Sequence, residues 1–189
     1  MTDTVVDGVD YGPLVLMAGL WKGDRGLDIA PEPDGTEEAP FFEEINFELA
    51  GDLQNAEQQR LAILRYHQKV YRKSTGEQFH DQVGYWLWDA AAGTVICTLV
   101  IPRAVTLVAA GQFDIASLQG DSAVLTVRSE EGGDWGVAQS PFMRDNARTK
   151  AFEMTLTVDG DRMSYRESTL LDIYGREFDH VDTSELVRS

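Results

Sequence analysis

Gln78-Phe79-His80-Asp81-Gln82-Val83-Gly84-Tyr85-Trp86-Leu87-Trp88-Asp89 is the stretch whose reading decides the fold. Phe79, Asp81, Val83, Tyr85 and Leu87 share one side, and His80, Gln82, Gly84, Trp86 and Trp88 the other, the period of a β-strand. Similar runs lie on both sides of it. Leu61–Arg72 precedes it and leads into Ser74-Thr75-Gly76-Glu77, a natural turn. Val95–Ile101 and Val105–Ala110 follow and meet at the corner Pro102-Arg103. Upstream, Phe41–Leu49 is rich in β-formers. Downstream come Ala123–Val127, Thr149–Val158, Arg162–Leu171 and Phe178–Val187, with the hairpin signal Asp159-Gly160-Asp161 between two of them. Residues 53–60 read as a loop or helical turn. Gly12–Gly19 opens with proline, closes with glycine and reads as a short helical turn.

About ten short strands in one chain predict an all-β fold: a ten-stranded antiparallel β-barrel with a short N-terminal helix. Closure removes the exposed strand edges, and a barrel of this size can enclose or cup one ligand. The chain has 189 residues, and no repeat or linker divides it. Residues 1–10 read as a loose acidic tail and 11–189 as one barrel domain.

Composition excludes several roles. Lys and Arg total 16 against 32 Asp and Glu, a formal net charge of −16. That balance argues against nucleic acid, whose phosphates need a basic face, and against an anionic membrane surface. Cys97 is the single cysteine, so an internal disulfide or a cysteine-based metal cage is excluded. The acidic start Met1-Thr2-Asp3-Thr4 is no signal peptide, and no apolar run approaches a membrane span. The expected location is the cytoplasm.

Few residues carry a chemical signal. His67, His80 and His180 show no zinc-hydrolase spacing, and there is no phosphate-binding glycine loop or serine elbow. With so many carboxylates, pairs of acids carry no information. His180 stands near the end of the last strand, between Asp179 and Asp182, either of which would orient an iron-ligating imidazole. On residues alone, a surface histidine at a charged strand end is the commoner case. His80 shares its side with Trp86 and Trp88 and faces either a ligand cup or the core. His67 has basic neighbours and is expected to face solvent. Trp21, set between Gly19 and Gly23, suits the plug of one barrel end.

Taken together, these motifs resemble the nitrobindin-like heme-binding β-barrels, a family that includes the C-terminal domain of the THAP4 protein and bacterial fatty-acid-binding-protein-like members. The resemblance runs from about Gly12 to Ser189. Its parts are Gly19-Leu20-Trp21-Lys22-Gly23, then Phe41-Phe42-Glu43-Glu44-Ile45-Asn46-Phe47, then His80-Asp81-Gln82-Val83-Gly84-Tyr85, and finally His180 ahead of Leu186-Val187-Arg188. Three departures stand out. Arg25 replaces the motif's third glycine, with Gly26 directly after it. An insertion, Asp28–Ala39, replaces a shorter segment. Asp179 stands where many relatives have proline before the histidine.

The resemblance implies heme b in a cleft at one end of the barrel, with His180 as the ligand of its iron and the residue on which catalysis depends. Trp21, Phe79, His80, Ile101 and Thr169 are the further cofactor-binding residues it implies. The implied activity is isomerisation of peroxynitrite to nitrate on ferric heme, or binding of nitric oxide. Arg148 and Lys150, judged by charge alone, are candidate partners for the heme propionates. A homodimer belongs to the same expectation. The alternative is a non-enzymatic carrier of a small hydrophobic ligand such as a fatty acid, and a third reading is a barrel used for protein contact. The insertion is expected to cover the cleft or reshape it.

Overall fold

The computed structural model describes residues 3–189. A small hairpin of β1 (Val5–Val6) and β2 (Val9–Asp10) precedes a 3-10 turn over Gly12–Met17. Then follow β3 (Gly19–Glu32), β4 (Gly35–Asn55), β5 (Gln59–Arg72), β6 (Gln78–Asp89), β7 (Thr94–Ile101) and β8 (Val105–Gln112). After a second 3-10 turn, over Ile115–Ser117, come β9 (Ser122–Glu130), β10 (Val137–Gln139), the helix α1 (Pro141–Asn146), β11 (Ala147–Asp159), β12 (Arg162–Ile173) and β13 (Arg176–Arg188). Ten strands, β3 to β9 and β11 to β13, form a closed antiparallel barrel. β13 returns to pair with β3.

The strands divide along their length. One end of each fills a core in which Leu14, Met17, Trp21, Leu64, Trp86, Leu125 and Leu156 are almost completely buried. The other end of most strands lines a cavity. The 3-10 turn closes the core end. Trp21 sits there, fully buried, and its Nε1–H donates to the Met17 carbonyl at 2.7 Å. Arg188 covers its ring at 4.2 Å and donates to the carbonyls of Leu16 and Ala18.

Closure is uneven. β8 and β9 meet at one residue pair, Ala110 and Arg128. Beyond that point β10 takes the free edge of β8, pairing Val137–Gln139 with Val105–Leu107. The Gln139 side chain then spans to β11: its Nε2 donates to the Thr149 carbonyl at 3.0 Å, and its Oε1 accepts from the Thr149 N–H at 2.9 Å. One amide side chain thus stands in for a strand at the seam.

Several expectations change. The segment 1–10 is not loose throughout, because Asp7 and Gly8 take positive φ and fold Val5–Asp10 into a hairpin whose Val6 and Val9 pack on the core. Residues 53–60 are strand ends and a turn: Asp52–Asn55 pair with Gln59–Ala62, and Ala56 and Glu57 adopt positive φ between them. The insertion Asp28–Ala39, whose form the sequence leaves open, is strand and turn. β3 and β4 continue past the motif as a paired hairpin, turning at Pro33-Asp34.

The misplaced motif glycine also has an explanation. β3 carries one extra residue between Gly23 and Gly26 relative to β4, a β-bulge over Asp24-Arg25. The bulge absorbs Arg25 and leaves Gly26 facing Phe41. A Cβ at Gly26 would lie 2.0 Å from Phe41 Cε2. Gly26→Ala must therefore push Phe41 off its buried position. The expected loss of stability is about 1–3 kcal/mol, read as a lower urea midpoint; an unchanged midpoint would refute this packing.

Candidate functional site

The cavity at the open end has a volume of about 410 Å³, within the usual range for small-molecule sites. Phe79, Leu99, Ile101, Leu107, Phe152 and Leu171 contribute apolar wall. His80, Thr169 and His180 also line it, so five of the six residues singled out from sequence (Phe79, His80, Ile101, Thr169 and His180) meet in one space. Trp21, the sixth, lies outside the lining, at the core end.

Phe79 and His80 share the cavity although strict alternation puts them on opposite sides. The register explains it: Val70 pairs with His80 and Tyr71 with Gln78, so Phe79 is skipped as a bulge residue. Phe79 then meets Phe41 edge-on at 6.4 Å and carries the Arg72 guanidinium at 4.6 Å.

His180 projects into the cavity from β13. Its Nε2 lies 2.7 Å from Asp28 Oδ1 and 3.5 Å from Asp182 Oδ2. Asp28 and Asp182 face each other across β3 and β13, and Glu167 faces Asp182 from β12. Asp179, the other sequence candidate, points away and bonds Ser168. The sequence places Asp28 in the insertion expected to cover or reshape the cleft, and nothing in it connects Asp28 to His180.

Burial dominates the protonation of this wall. Burial raises Glu167 to about 8, with Asp182 adding to the rise and His180 opposing it. Burial likewise raises Asp182 to about 7, opposed by His180 and reinforced by Asp28 and Glu43. For His180, burial disfavours the charged ring, but the Asp28 hydrogen bond and the charges of Asp182, Asp28 and Glu167 outweigh it and raise its pKa. Glu43 is raised by burial, against the nearby Ser184 hydroxyl and the hydrogen bonds from Gln68 and Tyr165. His80 is lowered by burial, opposed by its Gln82 contact and aided by the charges of Arg103 and His180.

The opposite part of the cavity is different. His80 stands on β6, separated from β13 by β5, β4 and β3. Arg72 and Arg103 line the cavity as its cations. Arg148 and Lys150 do not: they face outward and pair with Glu131 and Glu177. The two arginines escaped the sequence reading because nothing local marks Arg72 at the end of β5, or Arg103 in the turn between β7 and β8, as standing at a cavity. His67 bonds Asp81 at the half-exposed barrel surface. Cys97 is buried in β7, and burial pushes its thiol pKa far up, which removes it as a nucleophile.

The family model described as the THAP4-like, heme-binding beta-barrel domain matches residues 10–188. The chain belongs to this family. Among solved structures, the crystal structure of Rv2717c from M. tuberculosis is similar in fold: TM-score 0.72, 23% identity, covering 93% of this chain and 94% of that one. No curated protein sequence matches the chain.

The cavity residues fit a heme. A flat apolar macrocycle with two carboxylates suits an apolar wall carrying two imidazoles, His80 and His180, and two guanidinium groups. A neutral His180 that gives its Nε2–H to Asp28 keeps a lone pair on Nδ1, which has no hydrogen-bond partner among the described residues.

The acidic wall makes the ligand-free chain sensitive to alkali. Glu167, Asp182 and His180 all hold protons in the fold that the unfolded chain releases at lower pH. Their contribution to stability is present below the unfolded pKa values and fades as pH rises through about 7 to 8. His80 acts in the opposite sense, losing stability as pH falls. The thermal midpoint of the heme-free chain is expected to fall between about pH 5 and pH 8.5, and Glu167→Gln to flatten the decline. A slope untouched by that substitution would exclude Glu167 as its source.

Proposed function

We propose that the protein binds heme b in this cavity through His180 and acts on reactive nitrogen species. The observation that carries the proposal is His180, set by Asp28 and placed at an apolar cavity in a chain of a heme-binding family. Bound ferric heme would supply a Lewis-acidic iron for isomerising peroxynitrite to nitrate without net redox change, or for binding nitric oxide.

The chain's residues have defined parts in this reading. Asp28 accepts the ring N–H of His180 and sets its orientation and tautomer. Arg72 and Arg103 offer charge-assisted hydrogen bonds to the propionates. Phe79, Ile101 and Phe152, apolar lining of the cavity, would keep water from a bound macrocycle. His80, kept neutral by burial and by the nearby cations, can accept or give one hydrogen bond. The reactive anion is favoured on the Arg103 side and repelled by the carboxylates around His180. Heme, a nitrogen oxide species and a second copy of the chain are the proposed partners, and the cytoplasm the proposed location. No helix among the described residues is long and apolar enough to cross a membrane.

Ferric heme titrated into the purified chain is expected to give a Soret band saturating at one heme per chain. His180→Ala should lose that band or shift it, and Arg103→Ala should weaken binding about tenfold, the worth of one charge-assisted bond. Equal spectra for the wild type and His180→Ala would remove the ligand assignment. A wild type that takes a fatty acid but no heme would favour the carrier reading, since the same arginines suit a carboxylate. Peroxynitrite decay with nitrate yield, measured on the heme-loaded chain, tests the activity separately.

A further inference from the structure

We propose that Asp28, His180 and Asp182, with Glu167 beside them, form a binding site for a divalent first-row transition cation. The proposal is independent of heme binding and concerns the ring nitrogen that faces Asp28.

The geometry is already close to that of a bound ion. One ligand atom from each of Asp28, His180 and Asp182 lies within 4.8 Å of the others. Tetrahedral bonds of about 2.0–2.2 Å place neighbouring ligands roughly 3.3–3.6 Å apart. The His180–Asp182 separation of 3.5 Å matches that spacing, and the 2.7 Å hydrogen bond from His180 to Asp28 must open by well under 1 Å to reach it. The ligands stand on adjoining strands rather than on loops. Asp28, Asp182 and Glu167 form a row across β3, β13 and β12 through their register pairs, and His180 lies two residues from Asp182 on the same side of β13. A site held by a ladder needs little rearrangement to bind.

A second observation points to a missing positive charge. Glu43 is 3% exposed, and its buried Oε1, beside the Ser184 hydroxyl, makes no hydrogen bond of normal geometry. Its Oε2 takes bonds from Gln68 at 2.7 Å and Tyr165 at 3.2 Å. Glu167 lines the cavity and has no hydrogen-bond or ion-pair partner among the described residues. No lysine or arginine pairs with Asp28, Glu43, Glu167 or Asp182 among the described residues; His180 is the cationic partner that two of them have. Buried carboxylates are normally paired or coordinate a metal. One imidazole with several carboxylates suits Zn²⁺, Co²⁺, Mn²⁺ or Fe²⁺, and the lack of a thiolate disfavours Cu⁺. Binding releases to solvent the proton on the ligating nitrogen of His180 and those held by the ligating carboxylates, with no change in oxidation state.

The test uses the full chain freed of heme. Co²⁺, followed by its visible bands, and Zn²⁺, followed by calorimetry, are expected to bind once per chain. Asp182→Asn and Asp28→Asn should each weaken binding at least about tenfold, the loss seen for even an outer partner. His180→Ala should abolish it, and His67→Ala, a surface control, should leave it intact. In the wild type, Zn²⁺ should move the imidazole resonances of His180 and not those of His67, a readout independent of whether the variants fold. No Co²⁺ binding, binding that survives His180→Ala, or unmoved His180 resonances would each overturn the proposal. Soret titrations in parallel keep the two readings apart, since either ligand can bind when the other does not.

Discussion

Much of this structure depends on a hydrogen bond between residues 152 positions apart, from His180 to Asp28. It requires β3 to outrun the motif at its start, the bulge at Asp24-Arg25 to restore register, and β13 to pair with the extension. Each of these is a backbone event. The chemistry of the cavity follows, because the carboxylate decides which nitrogen of the ring is free and which is occupied.

The same contact organises charge across the cavity. The β3, β13 and β12 wall collects Asp28, Asp182 and Glu167 around one imidazole, while Arg72 and Arg103 line the space as cations. Arg72 is paired with Glu37, which also lines the cavity, so in this strongly acidic chain Arg103 is the lining arginine without an ion pair among the described residues. The formal charge of −16 describes solubility and says little about the cavity. What an entering anion meets depends on the side from which it arrives. Propionates and nitrogen oxide anions share a preference for the arginine side, and a cation has the opposite preference.

Strand identity and the barrel were legible because alternation survives in Gln78–Asp89 and in the hairpin around Asp159-Gly160-Asp161, where local chemistry and tertiary packing agree. Gathering His180, His80, Phe79, Ile101 and Thr169 in one cavity was legible only through a family resemblance. Periodicity alone sets Phe79 against His80, and a bulge is a property of two strands together. The extension Asp28–Ala39 failed to read as strand because two prolines and several acids interrupt it. Pairing of its two arms with each other, and of Asp28 and Ile29 with β13, supplies what local propensity lacks. Asp28, Arg72 and Arg103 were missed for a related reason: a charged residue at a cavity looks like a charged residue at a surface until its neighbours are known.

The seam between β8 and β11 has a different bearing. There the barrel is closed by the Gln139 amide, which makes the same two bonds a peptide group would. A backbone bridge belongs to every sequence with the fold, but a side-chain bridge belongs to this one residue. Closure along this part of the seam therefore rests on a replaceable part. Exchanging that one residue unties β10 from β11 here, while all ten staves of the barrel keep their backbone pairings.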